Sequence, residues 1–192
     1  LDELLLEDQV VQELGRLGPG DTFDMSSGWT IGGPGVYVQG LQFTPAGNAM
    51  VQSIEIAAFR LAGGTALNVS LMSDAGDQPG SVLETVPICC YGDVASIGLA
   101  NSVLRPLLTG GTKYWLVVSP IAAGDLFGWS RNLDLPAALN AQQSMGGPWH
   151  LGLDWQGTVR IRGAFDDTSA LPDADAVVDA HADLLETLET LR

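Results

Sequence analysis

Between residues 21 and 165 every apolar run is short, and almost every one ends in glycine, proline, asparagine or aspartate. The segment 35–44 (GVYVQGLQFT) is rich in β-branched and aromatic residues. Ile54, Ile56 and Ala58 alternate with other residues, as do Leu67, Val69 and Leu71. Residues 113–119 (KYWLVVS) and 127–131 (FGWSR) follow, and Val159 and Ile161 interleave with Arg160 and Arg162. The breaks fall at 32–35, 45–48, 63–64, 74–80, 110–111 and 146–148. Strands at such turn-marked intervals build an antiparallel sandwich or jelly roll, and nothing helical lies between them to make parallel βαβ units.

The two ends read differently. Leu6, Val10, Leu14 and Leu17 recur at helical spacing, and Gly18-Pro19-Gly20 would stop such a helix. Near the other end, Ala174, Val177, His181, Leu184, Leu188 and Leu191 are spaced three and four apart, which predicts an amphipathic helix starting near Asp173. Such a stripe lies on its own domain or meets a neighbour. The expected organisation is therefore a mainly β chain: an acidic amphipathic helix over 1–20, an antiparallel, jelly-roll-like β-sandwich over 21–165, and a second acidic amphipathic helix over 166–192.

Charge separates the same three parts. The formal net charge is −15. Residues 1–20 hold five acids against Arg16, and residues 166–192 hold eight against Arg192, so −11 of the −15 lies in the two ends. A nucleic-acid binder needs a basic patch, and none is visible. No run of about 18 apolar residues is present to span a membrane. A start at Leu1, with no basic stretch followed by an apolar one, reads as a processed mature chain or a fragment of an exported protein.

Residues 40–165 resemble the bacterial exported β-sandwich modules called choice-of-anchor domains, found in PEP-CTERM-type surface proteins. The likeness is carried by residues 38–44 (VQGLQFT), 51–56 (VQSIEI), the turn 67–80 (LNVSLMSDAGDQPG), then Leu83-Glu84. It continues through 108–118 (LTGGTKYWLVV), Gly128-Trp129 and the closing 159–163 (VRIRG). The resemblance implies a jelly-roll-like sandwich in an extracellular or cell-surface protein, and it carries no catalytic residues. The chain departs from the family in its acidic helical ends and in lacking the family's sorting tail; the ends point to assembly.

Individual residues suggest three sites. Cys89 and Cys90 are adjacent, and could bridge to each other, bridge to other subunits or stay as thiols. Asp74 and Asp77 in a glycine-rich turn could ligate Ca²⁺, although the spacing is not that of an EF-hand, and turn chemistry explains the same residues. Trp149, Asp154 and Trp155 follow Gly146-Gly147-Pro148, an arrangement that one loop could offer to a sugar ring. Catalytic templates are missing. No Gly-x-Ser-x-Gly elbow, dinucleotide fingerprint or phosphate loop occurs.

The sequence therefore points to a non-enzymatic structural or adhesive subunit, a homo-oligomer or partner of other assembly subunits. It would join through an assembly seam of Leu6, Val10, Leu14, Leu17, Val177, His181, Leu184, Leu188 and Leu191. The alternative is a carbohydrate-binding module for a polysaccharide. No cofactor is expected apart from Ca²⁺ at the acidic turn.

Overall fold

The computed structural model describes residues 9–14, 23–132, 138–154 and 156–165. All its regular elements are strands: β1 (Gln9–Leu14), β2 (Phe23–Gly32), β3 (Val38–Phe43), β4 (Ala49–Ala62) and β5 (Leu67–Asp74). Then come β6 (Pro79–Ile88), β7 (Ser96–Asn101), β8 (Leu107–Leu108), β9 (Tyr114–Pro120) and β10 (Leu126–Asn132). The last are β11 (Ala138–Gln143), β12 (His150–Asp154), β13 (Gln156–Gly157) and β14 (Val159–Phe165). Among the described residues no helix is long and apolar enough to cross a membrane.

The strands form two antiparallel sheets. The larger runs β1-β14-β4-β10-β13, with β7 and β8 added along β4 and β2 along β10. The smaller runs β12-β11-β3-β9-β5-β6. Their facing sides make the core. Ile54, Ile56 and Ala58 of β4, Phe127 and Trp129 of β10, and Val159 and Ile161 of β14 meet Leu67, Val69 and Leu71 of β5 and Leu116 and Val118 of β9. Period-two alternation puts these residues on one side of each strand. Each large side chain so buried contributes roughly 1.5–3 kcal/mol. Trp29 and Trp129 meet edge to face, ring centroids 5.3 Å apart, and the Trp129 indole N–H donates to the Thr158 carbonyl at 3.0 Å.

The N-terminal helix is corrected. Residues 9–14 are β1, paired antiparallel to β14 from Gln9↔Gly163 to Leu14↔Val159, with a bulge between Val10 and Gln12. The exposed edge of β14 offers unpaired N–H and C=O groups, whereas a helix of this length is marginal without a surface to cover it. The adjacent β-branched Val10-Val11 suits a strand. The strand buries Val11, which the helical spacing left off its apolar stripe. The sheet thus reaches past the expected boundary at residue 21. Val10 and Leu14 of the seam fall in β1, while Leu6, Leu17, Val177, His181, Leu184, Leu188 and Leu191 lie outside the described residues.

Val11→Ala is expected to lower the unfolding free energy by on the order of 2 kcal/mol, read from denaturant titration. An unchanged midpoint would restore the helical reading, in which Val11 faces solvent.

Candidate functional site

Strand β6 carries an acid at an inward position. Glu84 shares the parity of Val86 and Ile88, and all three are buried. A buried carboxylate must find donors or shed its charge. Glu84 finds them on the other sheet, in the segment joining β7 to β8. It accepts hydrogen bonds from the Ser102 hydroxyl at 2.5 Å, the Val103 N–H at 2.6 Å and the Leu104 N–H at 2.8 Å. The Ser102 oxygen in turn accepts from the Arg105 N–H at 2.9 Å. The clamp ties the edge strand of the smaller sheet to an edge loop of the larger.

The consequence is a rigid apolar rim. Val103 is 81% exposed and Leu104 69%, and both are held outward because their own backbone N–H groups are bound to Glu84. Leu107 pairs across the ladder with Met50, and Leu99 with Glu55. Leu107 and Leu99 are 57% and 55% exposed. Below the rim a groove of ≈ 500 Å³ opens between Leu83 and Leu107 on one side and Asp74, Lys113 and Tyr114 on the other.

Burial pushes the Glu84 carboxyl up, but the Ser102 hydroxyl and the Leu104 and Val103 N–H groups outweigh it and hold the group below its ordinary value.

The outer face of the smaller sheet is the second feature. Trp115 and Val117 alternate with the core residues Tyr114, Leu116 and Val118, so they point away from the main core. Both are nonetheless buried, in a separate cluster with Ala141, packed by Val38, Met72, Leu139 and Trp149. The polar end of this face is a hydrogen-bonded network. Asp74 Oδ1 accepts from the Trp115 indole at 2.7 Å and from the Gln42 amide at 3.0 Å. Asp74 Oδ2 accepts from the N–H groups of Gly76 and Asp77, 3.1 Å each, closing a turn in which both of those residues take positive φ. Asp77 Oδ1 accepts from Gln42 at 3.1 Å and pairs with the half-exposed Lys113 ammonium at 2.5 Å.

Partial burial pushes the Asp74 carboxyl up, and the Trp115, Asp77, Gln42 and Gly76 donors bring it below its ordinary value. Lys113 does the same for Asp77. The two acids read as Ca²⁺ ligands thus face N–H donors and an ammonium. Among the described residues no three His, Cys, Asp or Glu groups converge as a metal site.

Of the residues read as a sugar site, Trp149 lies in the β11–β12 loop, half-buried on the outer-face cluster. Asp154 is at the far end of β12, on the order of 15 Å along the strand, and accepts the Trp29 indole N–H at 3.2 Å. The two are not brought together, and Trp155 lies outside the described residues. Cys89 and Cys90 are joined to each other by a disulfide in an exposed loop, with Cα atoms 3.7 Å apart. The next residue, Tyr91, is buried and donates its hydroxyl to the Ile56 carbonyl at 3.1 Å.

Sequence reasoning missed the Glu84–Ser102 clamp and the rim it holds. The parity of Glu84 with Val86 and Ile88 was the available sign, since an acid on the inward side of a strand needs a partner. Compared with known proteins, the chain matches no family model and no curated protein sequence.

Because the folded value of Glu84 lies below its unfolded one, its ionised form stabilises the fold above about pH 4.5, and that contribution is lost as pH falls through the folded value. Glu84→Gln is expected to cost about 1–3 kcal/mol at neutral pH and to flatten the fall in stability between neutral pH and about pH 3. Parallel denaturation curves for variant and wild type across that range would show the clamp to be energetically idle.

Proposed function

We propose that the chain is a non-enzymatic structural or adhesive subunit of an extracellular assembly, of the choice-of-anchor, PEP-CTERM type, with a jelly-roll-like sandwich as its rigid body. The observation that carries this reading is the rim. A protein that has no use for two neighbouring apolar side chains at a loop tip does not commit a buried carboxylate to holding them in water. Contiguous exposed apolar surface marks contact sites, and Val103, Leu104, Leu107, Met50, Leu99 and Ile97 follow one edge of the larger sheet. The Cys89–Cys90 disulfide supports an oxidising compartment, as expected of an exported protein.

With β1 now part of the sheet, the C-terminal segment remains as the acidic end available for assembly. High salt screens the −15 charge and strengthens apolar contact. Sedimentation of the full chain is therefore expected to show concentration-dependent association that grows with salt and is lost in Val103→Asp/Leu104→Asp. A wild-type chain that stays monomeric at every salt and concentration would end this reading.

One observation favours a carbohydrate-binding module as the second reading. Trp149 is half-buried over the row in which Ala141, Gly40, Val117, Ser70 and Thr85 are ladder partners, and the Ser70 and Thr85 hydroxyls meet at 2.7 Å. An indole beside hydroxyls suits a sugar ring. In a polysaccharide pull-down, Trp149→Ala is expected to abolish retention on whichever polymer holds the wild type. Retention unchanged by the substitution would remove Trp149 from any such site.

A further inference from the structure

The rim is flanked by positive charge in a chain that is otherwise acidic. Leu99 lies beside Glu55 on β4, and Glu55 beside Arg160 on β14. That single carboxylate faces two guanidinium groups, Arg160 at 3.1 Å and Arg162 at 3.7 Å. Arg105 is exposed in the loop that carries Val103 and Leu104. Three arginines against one exposed-face acid therefore border the apolar row of Met50, Leu107 and Leu99.

The complementary pattern is written in the chain itself. Residues 166–192 hold eight acids against Arg192, with Ala174, Val177, His181, Leu184, Leu188 and Leu191 at helical spacing. A helix over 174–191 would be about 27 Å long. From Met50 to Ala57, the ladder partner of Ile97, the edge measures roughly 23 Å.

The direction of β14 bears on which copy is reached. The strand runs toward the end of the sheet where Phe165 pairs with Ala49 and Ala164 with Met50. At that end it is heading away from Leu99 and Ile97. A return onto the same copy needs a full reversal between Asp166 and Asp173 and a crossing over β4. A second copy lies on the line of exit.

We propose that the C-terminal segment 166–192 of one copy docks on the Met50–Leu107–Leu99 edge of a second copy, its leucines against the apolar row and its acids toward Arg105, Arg160 and Arg162. This inference rests on the assembly reading above and names the partner of the same rim. The contact is heterologous, so copies join head to tail.

The test uses full-length chains in sedimentation velocity. One variant spoils the edge (Leu99→Asp/Leu107→Asp), and a second spoils the tail (Leu184→Asp/Leu188→Asp). Both pairs of substitutions leave the described core untouched, and far-ultraviolet circular dichroism checks that the β spectrum is kept. Should the edge variant lose that spectrum, the charge-reversed Arg105→Glu/Arg162→Glu replaces it. The wild type is expected to associate and each variant alone to sediment as a monomer. Their equimolar mixture is expected to recover a one-to-one complex, because one partner keeps a sound tail and the other a sound edge.

Loss of association in the edge variant alone overturns the tail as partner while leaving the adhesive edge standing. Loss in the tail variant alone means that tails pair with tails. A mixture that stays monomeric overturns the docking. A wild type that never associates, with tail amides protected from hydrogen exchange only when the edge is intact, places the tail on its own copy and overturns both the docking in trans and the assembly reading.

Discussion

Fourteen residues of extended chain, Ala49–Ala62, carry the larger sheet. Strands β14 and β10 share one edge of β4, and β8 and β7 share the other. One irregularity makes this possible. Ala49 and Val51 face the core, and so do Ile54, Ile56 and Ala58, so the parity changes between 51 and 54. The register shift opposite Arg162–Gly163 supplies the change. Without it the inward side would continue through Ser53, Glu55 and Ala57, and an ion pair would be driven into the core.

Acids do structural work here that the net charge conceals. Glu84 joins the two sheets at one edge, and Asp74 joins a turn to the Trp115 indole. At the other end of the sandwich the carboxylate of Asp125 accepts from Gly64 N–H at 2.7 Å and Ala122 N–H at 2.8 Å, while its own carbonyl accepts from Gly33 N–H. The Gly64 and Ala122 donors hold that carboxyl below its ordinary value. In each case one carboxylate satisfies several backbone donors that a turn would otherwise leave to water. The sandwich is thus braced by short-range hydrogen bonds to anions at its rims and by apolar packing at its centre.

The centre was legible in the sequence because alternation is a direct image of burial. Ile54/Ile56/Ala58, Leu67/Val69/Leu71 and Val159/Ile161 all fall on the inner side as read. Trp115 was read correctly as buried, but it belongs to a second cluster on the far face, because a six-stranded sheet with apolar residues on both sides can bury a tryptophan without turning it inward. The N-terminal strand was hidden because LxxxVxxxL spacing satisfies a helix locally, while the competing partner, the free edge of β14, is about 150 residues away in the chain. Asp154 and Trp149 looked adjacent because they are close in sequence. A strand between them carries one toward Trp29 and leaves the other on the outer face. The rim was hidden for the same reason as the clamp: Glu84 and Ser102 meet only after two sheets have closed.

The disulfide has a consequence for how copies of this chain could ever be linked. Cys89 and Cys90 are its only cysteines and each is spent on the other. No sulfur is left for a bond between molecules, even in an oxidising medium. Any polymer built from this chain is held without covalent sulfur links, and therefore exchanges its members at a rate set by apolar contact and charge, dissolving and re-forming with the ionic conditions around it.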